Sequence, residues 1–324
     1  MNEKTYARII LGVTCTIPLF IWLLTWWLPS EYYIEDPAYS YWMEQKDYVM
    51  GDGDRREILL LGDSRIKSDL VSSELGDDTY NVALPGGRPI EMYYTLQNYI
   101  VHHPTPKAVF VSFAPVHFYV METYLKFTQY YRYFDDATID QINRVIKEHG
   151  GKDYASETRD YRYRLPNIYM KPILKSLVYP HREENVRIYH NAKSHKGSMT
   201  YDVNTERKAV YSPELRHGTF ECPAYMNFYM EKIIELCLEE NIPIYIEQMP
   251  MGNPGYNILV EHGYISDYQQ YMRGLRDKYN IPVNDEIPVY PSKYFVDDSH
   301  LNENGAHKFT AEFRQKYQSV FDGE

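Results

Sequence analysis

Ile58-Leu59-Leu60-Leu61-Gly62-Asp63-Ser64 is an apolar run that stops at a glycine and delivers a serine. A run with no polar alternation reads as a strand buried on both faces, as in a parallel sheet covered by helices. Outward from it the chain alternates. Residues 64–75 read as a helix, 80–84 as a second strand, and Pro85-Gly86-Gly87 as a breaker. Residues 89–101 then read as a helix and 107–113 as a third strand. Beyond them come a helix at 226–240, a strand at 243–247, a helix at 264–279, a short strand at 281–283 and a last helix at 302–321. This alternation predicts an α/β fold with a mostly parallel sheet between helices. Ligands bind at the carboxyl ends of strands in such sheets, and Ser64 stands at one.

On the amino-terminal side, residues 9–28 (IILGVTCTIPLFIWLLTWWL) carry no charge. Twenty helical residues reach about 30 Å, the thickness of a bilayer core. Pro18 is tolerated in such a helix, and Trp26 and Trp27 suit a membrane interface. Lys4 and Arg8 precede the stretch, while Glu31, Glu35 and Asp36 follow it. The basic side stays in the cytoplasm, so the expectation is a single-pass anchor in the cytoplasmic membrane with the remainder outside. A cleaved signal peptide is the alternative, but Pro29-Ser30-Glu31-Tyr32-Tyr33 offers no small-x-small cleavage site. The chain thus divides into a cytoplasmic tip and anchor (1–28), an irregular juxtamembrane segment (29–56) and one extracytoplasmic domain (57–324). Residues 114–222, rich in tyrosine and charge, break the rhythm. They read as an inserted cap over the site, with one helix near 138–149.

The net charge of −11 argues against a nucleic-acid partner, which needs a basic face. Cys222 and Cys237 flank one apolar-periodic stretch. On a single helix they stand about 22 Å apart, too far for a disulfide, so both read as buried thiols. With Cys15 in the anchor, no cysteine spacing suits a metal, and no cofactor is expected. The 34 tyrosines read as ordinary core and surface residues rather than as a sugar-stacking groove.

Near the carboxyl end runs Val296-Asp297-Asp298-Ser299-His300-Leu301-Asn302. Serine is a weak nucleophile until a base takes its proton. Histidine is the usual base, and a carboxylate fixes its tautomer and stabilises the imidazolium. Gly-Asp-Ser alone is equally a turn with a helix N-cap, since Asp63 and Ser64 are both good capping residues. Its position after a strand, the Asn81–Gly87 turn after the second strand, and Asp297-x-x-His300 raise it above that.

The order G-D-S, then N-x-x-x-P-G-G, then D-x-x-H-L-N-x-x-G before a last helix resembles the SGNH (GDSL) hydrolase superfamily. With an anchor and an outside domain, the chain is similar to its membrane-anchored O-acyltransfer branch, that of the alginate O-acetylation proteins and DltD. The resemblance covers residues 57–113 and 281–320. It implies a three-layer α/β/α fold, with Ser64 as nucleophile, His300 as general base and Asp297 as its orienting partner. Asp298, adjacent to Asp297, lacks the family spacing. The oxyanion hole implied is the backbone N–H of Ser64 with that of Gly86 or Gly87. The family's asparagine after strand three is replaced here by Ser112-Phe113-Ala114-Pro115-Val116-His117, in which Ser112 or His117 is a candidate substitute. Arg65 and Arg88, on the first two loops, are candidates for binding an anionic substrate group. His102-His103 and His307 read as structural and surface residues. The activity implied is transfer of an acyl group, O-acetyl above all, to a cell-envelope or extracellular glycan, with a polytopic membrane-bound O-acyltransferase as partner. A carbohydrate O-acetylesterase would use the same triad. A non-catalytic scaffold or glycan-binding subunit is the alternative from another class.

Overall fold

In the computed structural model the chain is described over residues 2–27, 36–119, 121, 123–178, 181–201, 203, 214, 218–297 and 299–323. β1 (Ile58–Gly62) is buried at every position because both of its faces are covered. Leu59 and Leu61 join a cluster with Trp42, Leu96 and Ile233, whereas Ile58 and Leu60 join another with Ile66, Phe110 and Phe309. β2 (Thr79–Asn81) and β3 (Ala108–Ser112) flank β1, and β4 (Ile244–Ile246) lies outside β3. All three pairings are parallel, giving the order β2-β1-β3-β4. The sheet therefore follows the sequence expectation, with shorter strands. The strand expected at 281–283 is reduced to one parallel bridge, Ile246 to Val283. A separate two-stranded pair, β5 (Met251–Gly252) with β6 (Val289–Tyr290), is too short to register in the sequence.

The helices that place the site are α3 (Ser64–Asp69), α4 (Ser72–Leu75), α5 (Pro89–His102), α10 (Ala224–Glu239), α12 (Tyr264–Tyr279) and α13 (Glu303–Lys316), which α14 (Gln318–Asp322) follows. The single helix expected over 64–75 breaks at Leu70 and Val71, both extended and both buried. α11 (Asn253–Glu261) was not foreseen.

Two expectations on organisation are corrected. The juxtamembrane segment is not irregular: α2 (Ala38–Met50) packs on α5. Its Trp42 is fully buried and donates its indole N–H to the Pro85 carbonyl (3.0 Å). Among the described residues the insertion holds four α-helices rather than one: α6 (Asp136–Glu148), α7 (Ala155–Arg162), α8 (Pro166–Val178) and α9 (Arg182–Ser194). α6 packs on α10, α7 on α6, α9 on α2 and α8 on α1 (Glu3–Trp27), and from the rest of the stretch Tyr201 stands against His300. The tyrosines fill the interior, with Tyr99, Tyr124, Tyr229, Tyr264 and Tyr268 among the largest buried side chains.

α1 is the one helix among the described residues long and apolar enough to cross a membrane. Its far end docks on the domain. Trp22 Nε1 donates to the Tyr163 carbonyl (2.7 Å), and the buried Thr25 hydroxyl donates to that of Arg164 (2.9 Å). The cleavage-site reading at 29–33 falls outside the described residues.

Candidate active site

Gly62 ends β1 at φ +150°, where a Cβ would lie 1.8 Å from the Ser112 carbonyl oxygen. Only glycine lets β1 approach β3 so closely before the chain turns. Asp63 then caps α3, its carboxylate accepting from Arg65 N–H (2.8 Å) and from Ala114 N–H (2.5 Å). It also takes His117 Nδ1–H at 2.6 Å. Burial raises the Asp63 pKa, but the charge and hydrogen bond of His117, then Arg65 and Ala114, outweigh it and hold the carboxyl below its usual range. Asp63 is thus a loop anchor, as its sequence position suggested, with His117 as an unforeseen partner.

Ser64 opens α3 at the carboxyl end of β1. Its Oγ lies 2.8 Å from His300 Nε2. On the far side of the ring, His300 Nδ1 is 2.8 Å from Asp297 Oδ2 and 3.1 Å from Oδ1. Asp297 Oδ1 also accepts the backbone N–H groups of Ser299 (2.7 Å) and His300 (2.8 Å). Burial pushes the Asp297 carboxyl up, but the hydrogen bond and charge of His300, with the two backbone donors, hold it below the usual carboxylate range. An ionised Asp297 accepts only, so Nδ1 carries the proton and Nε2 offers its lone pair to the Ser64 hydroxyl. The three residues quoted from opposite ends of the sequence, 236 positions apart for Ser64 and His300, form one hydrogen-bonded line. Asp298 falls outside the described residues.

The loop that carries the histidine is pinned by its neighbours. Phe295 and Leu301 form an antiparallel bridge, and Val296 N–H donates to the His300 carbonyl (3.0 Å). Asn302 caps α13 by accepting from Gly305 N–H (3.1 Å). Leu301 N–H donates to Asp69 Oδ1 (3.1 Å), which also accepts from Ser68 Oγ (2.8 Å). Sequence reading missed Asp69. It is fully buried, and its Oδ2 has no partner. Burial pushes its carboxyl up to about 7, against the opposing pull of His300, Leu301, Ser68 and Arg65. No sequence signal marked it, since five residues on α3 turn Asp69 about 140° away from Ser64 and say nothing of what packs there. Tyr201, also missed, sets its ring 5.3 Å from that of His300.

The expected oxyanion donors divide. Ser64 N–H, first in its helix, has no carbonyl of its own helix to bond. Gly86 sits at φ +70° in the Pro85–Gly86 turn, where a Cβ would strike the Phe127 ring at 2.6 Å. Gly87 does not fit the role, because its N–H is spent on the Leu84 carbonyl (2.8 Å). Ser112 is buried at the end of β3, while His117 is held at the Gly62–Ser64 turn through Asp63.

Neither arginine is placed to receive an anionic substrate. Arg65 is buried and paired with the buried Glu214 at 2.7 Å. Arg88 is buried against Glu91 at 2.7 Å, donates to Thr123 Oγ1 (3.1 Å) and caps α5. Each loop turns its cation inward because a carboxylate waits there. His103 stacks on Tyr99 at 4.2 Å and faces the Tyr48 carbonyl, while exposed His307 pairs with Glu74 at 2.5 Å; both fit their structural readings. Cys222 precedes α10 rather than lying on it and is only partly buried. Cys237 is fully buried within α10. Burial pushes both thiols up to about 12.

No family model, no curated protein and no solved structure matches this chain.

Proposed function

We propose that the chain is a membrane-anchored, SGNH-like serine acyltransferase. Its Ser64 takes an acyl group, acetyl above all, and passes it to a hydroxyl of a cell-envelope or extracellular glycan. The observation that carries this reading is the line Ser64 Oγ–His300 Nε2, His300 Nδ1–Asp297, with 2.8 Å at both steps. His300 takes the Ser64 proton as Oγ attacks the donor's acyl carbon. Asp297 stabilises the imidazolium so formed, which then protonates the leaving group. His300 then deprotonates the acceptor hydroxyl as its oxygen attacks the acyl carbon, the acyl–Oγ bond breaks, and the same proton returns to Ser64 Oγ. Ser64 N–H and Gly86 N–H are the donors for the oxyanion.

Sheet order, helices against both faces and the carboxyl-end position of Ser64 support the three-layer SGNH-like arrangement. The docked end of α1 supports an uncleaved anchor, since the buried Thr25 is part of the domain's packing. With the basic residues Lys4 and Arg8 inside, the domain lies on the extracytoplasmic side. There, activated acyl donors must be brought across the membrane, which calls for a polytopic O-acyltransferase partner. Ser64 and His300 are partly exposed, and the Asp297 side chain is half exposed, as a site serving a polymer requires.

Intact-mass measurement of the full chain in detergent after p-nitrophenyl acetate tests the reading. A single acetyl adduct on the native chain, absent from Ser64→Ala, is expected. Hydrolysis with no transfer to any offered glycan would make the protein an O-acetylesterase. An unmodified native chain with no nitrophenol release would favour a non-catalytic glycan-binding subunit, a reading to which the committed Gly87 N–H and the missing asparagine lend support.

A further inference from the structure

Outside α1, the most conspicuous exposed apolar surface lies on α8. Leu174, Leu177 and Val178 are 53, 51 and 68% exposed. At 100° per residue they fall within one arc of the helix. Lys171 and Lys175 border that arc on one side. The buried Tyr169 and Ile173 border it on the other and hold the helix to the domain. An apolar arc edged by lysines is the pattern of a helix lying in a membrane surface, with the long basic side chains reaching out to headgroups.

The neighbour of α8 decides what covers this arc. α8 packs directly on α1, the helix apolar enough to cross a bilayer. The two residues that receive the end of α1, Tyr163 and Arg164, stand just before α8 begins. The Arg164 guanidinium also lies over the Trp26 ring, 5.6 Å from its centre. Wherever α1 enters the membrane, α8 is therefore beside it.

We infer that α8 lies in the headgroup layer of the membrane that α1 spans, with Leu174, Leu177 and Val178 inserted and Lys171 against lipid phosphates. The inference rests on the reading of α1 as an anchor. A lone spanning helix leaves a domain free to swing. A second contact along a helix about 20 Å long fixes its tilt, and with it the height and direction of Ser64.

The test uses the full chain in phosphatidylcholine vesicles containing phosphatidylglycerol, in a Cys222→Ala background. An environment-sensitive fluorophore is attached at native Cys15 or, after Cys15→Ala, at Leu177→Cys or Val178→Cys. Val101→Cys on α5, at a residue 73% exposed, is the control. Lipids with a nitroxide near the headgroup quench labels at that depth, and lipids with a nitroxide deep in the acyl chain quench a label in the bilayer core, where Cys15 of a spanning helix lies. Blue-shifted, quenched emission at 177 and 178, with 101 unaffected, is the expected result. Quenching at 15 without quenching at 177 and 178 would overturn the inference and leave the anchor standing. Absence of quenching at 15 would overturn both. A blue shift at 177 that grows with protein concentration and ignores the nitroxide would mean that a second copy covers the arc, and would likewise overturn it.

Discussion

Asp297 and Asp69 flank the same histidine loop and are driven in opposite directions by their surroundings. Asp297 collects donors on both oxygens and stays ionised. Asp69 is sealed in the core, with one oxygen lacking a partner, and tends to keep its proton. Asp297→Asn should keep the hydrogen-bonded shape of the loop but reverse the favoured tautomer of His300. Steady-state kinetics with p-nitrophenyl acetate should show kcat lowered by up to about 10⁴-fold, with KM little changed. For Asp69, the folded carboxyl titrates at about 7, whereas an unfolded one titrates near 4. The folded state thus binds the extra proton. Its contribution is complete below about pH 4 and is lost as pH rises through about 7. Urea unfolding across that window should show the native chain losing up to about 4 kcal/mol relative to Asp69→Asn, which cannot titrate there. An unchanged difference would mean that Asp69 is ionised throughout. Ser64, His300 and Asp297 were legible because chemistry restricts their types and spacing. Asp69 and Tyr201 were not, since an aspartate in a short helix carries no mark of what will fold over it.

α2 shows why elements differ in legibility. β1 and β3 read cleanly because each is an unbroken apolar run. α2 buries Glu44 and Gln45 beside Trp42 and Val49, so its sequence has no clear apolar stripe. Much of its polar interior is held by particular partners: Gln45 donates to the Val82 carbonyl (3.0 Å), and one Glu44 oxygen accepts from the Tyr80 hydroxyl. Such pairing is invisible to periodicity. The same applies to α7 and α9 of the insertion, where tyrosine and charge stand in for leucine, whereas α6 buries Ile139, Ile142 and Ile146 on one face and was legible. α2 also matters to the site, because Trp42 holds the Pro85–Gly86 turn and packs its ring against Phe127 and Tyr133. Trp42→Ala should cost about 3–5 kcal/mol in urea unfolding. Where the variant remains folded, it should also slow Ser64 acylation, because Gly86 N–H loses its support. Full acylation speed in a destabilised Trp42→Ala would remove Gly86 from the oxyanion hole.

At the scale of the whole molecule, the parallel sheet brings together chemistry encoded more than two hundred residues apart. α1 and its docking loop tie that chemistry to the one helix among the described residues long and apolar enough to cross a membrane. The alternation of strand and helix made the sheet legible. The route of residues 114–222 was not, because α6, α8 and α9 take their places from contacts with α10, α1 and α2, which no local pattern announces. The inward turn of Arg65 belongs to this scale as well, since its carboxylate, Glu214, comes from 149 residues away, whereas Arg88 answers Glu91 within the first turn of its own helix.

The central claim is that this assembled line makes Ser64 a nucleophile. A fluorophosphonate probe tests it most directly, because it needs an activated serine and neither the natural donor nor the acceptor. The full chain would be labelled in detergent and the modified peptide mapped, beside His300→Ala. Labelling confined to Ser64 in the native chain and lost in His300→Ala is the predicted result. An unlabelled Ser64, or equal labelling with and without His300, would contradict the account.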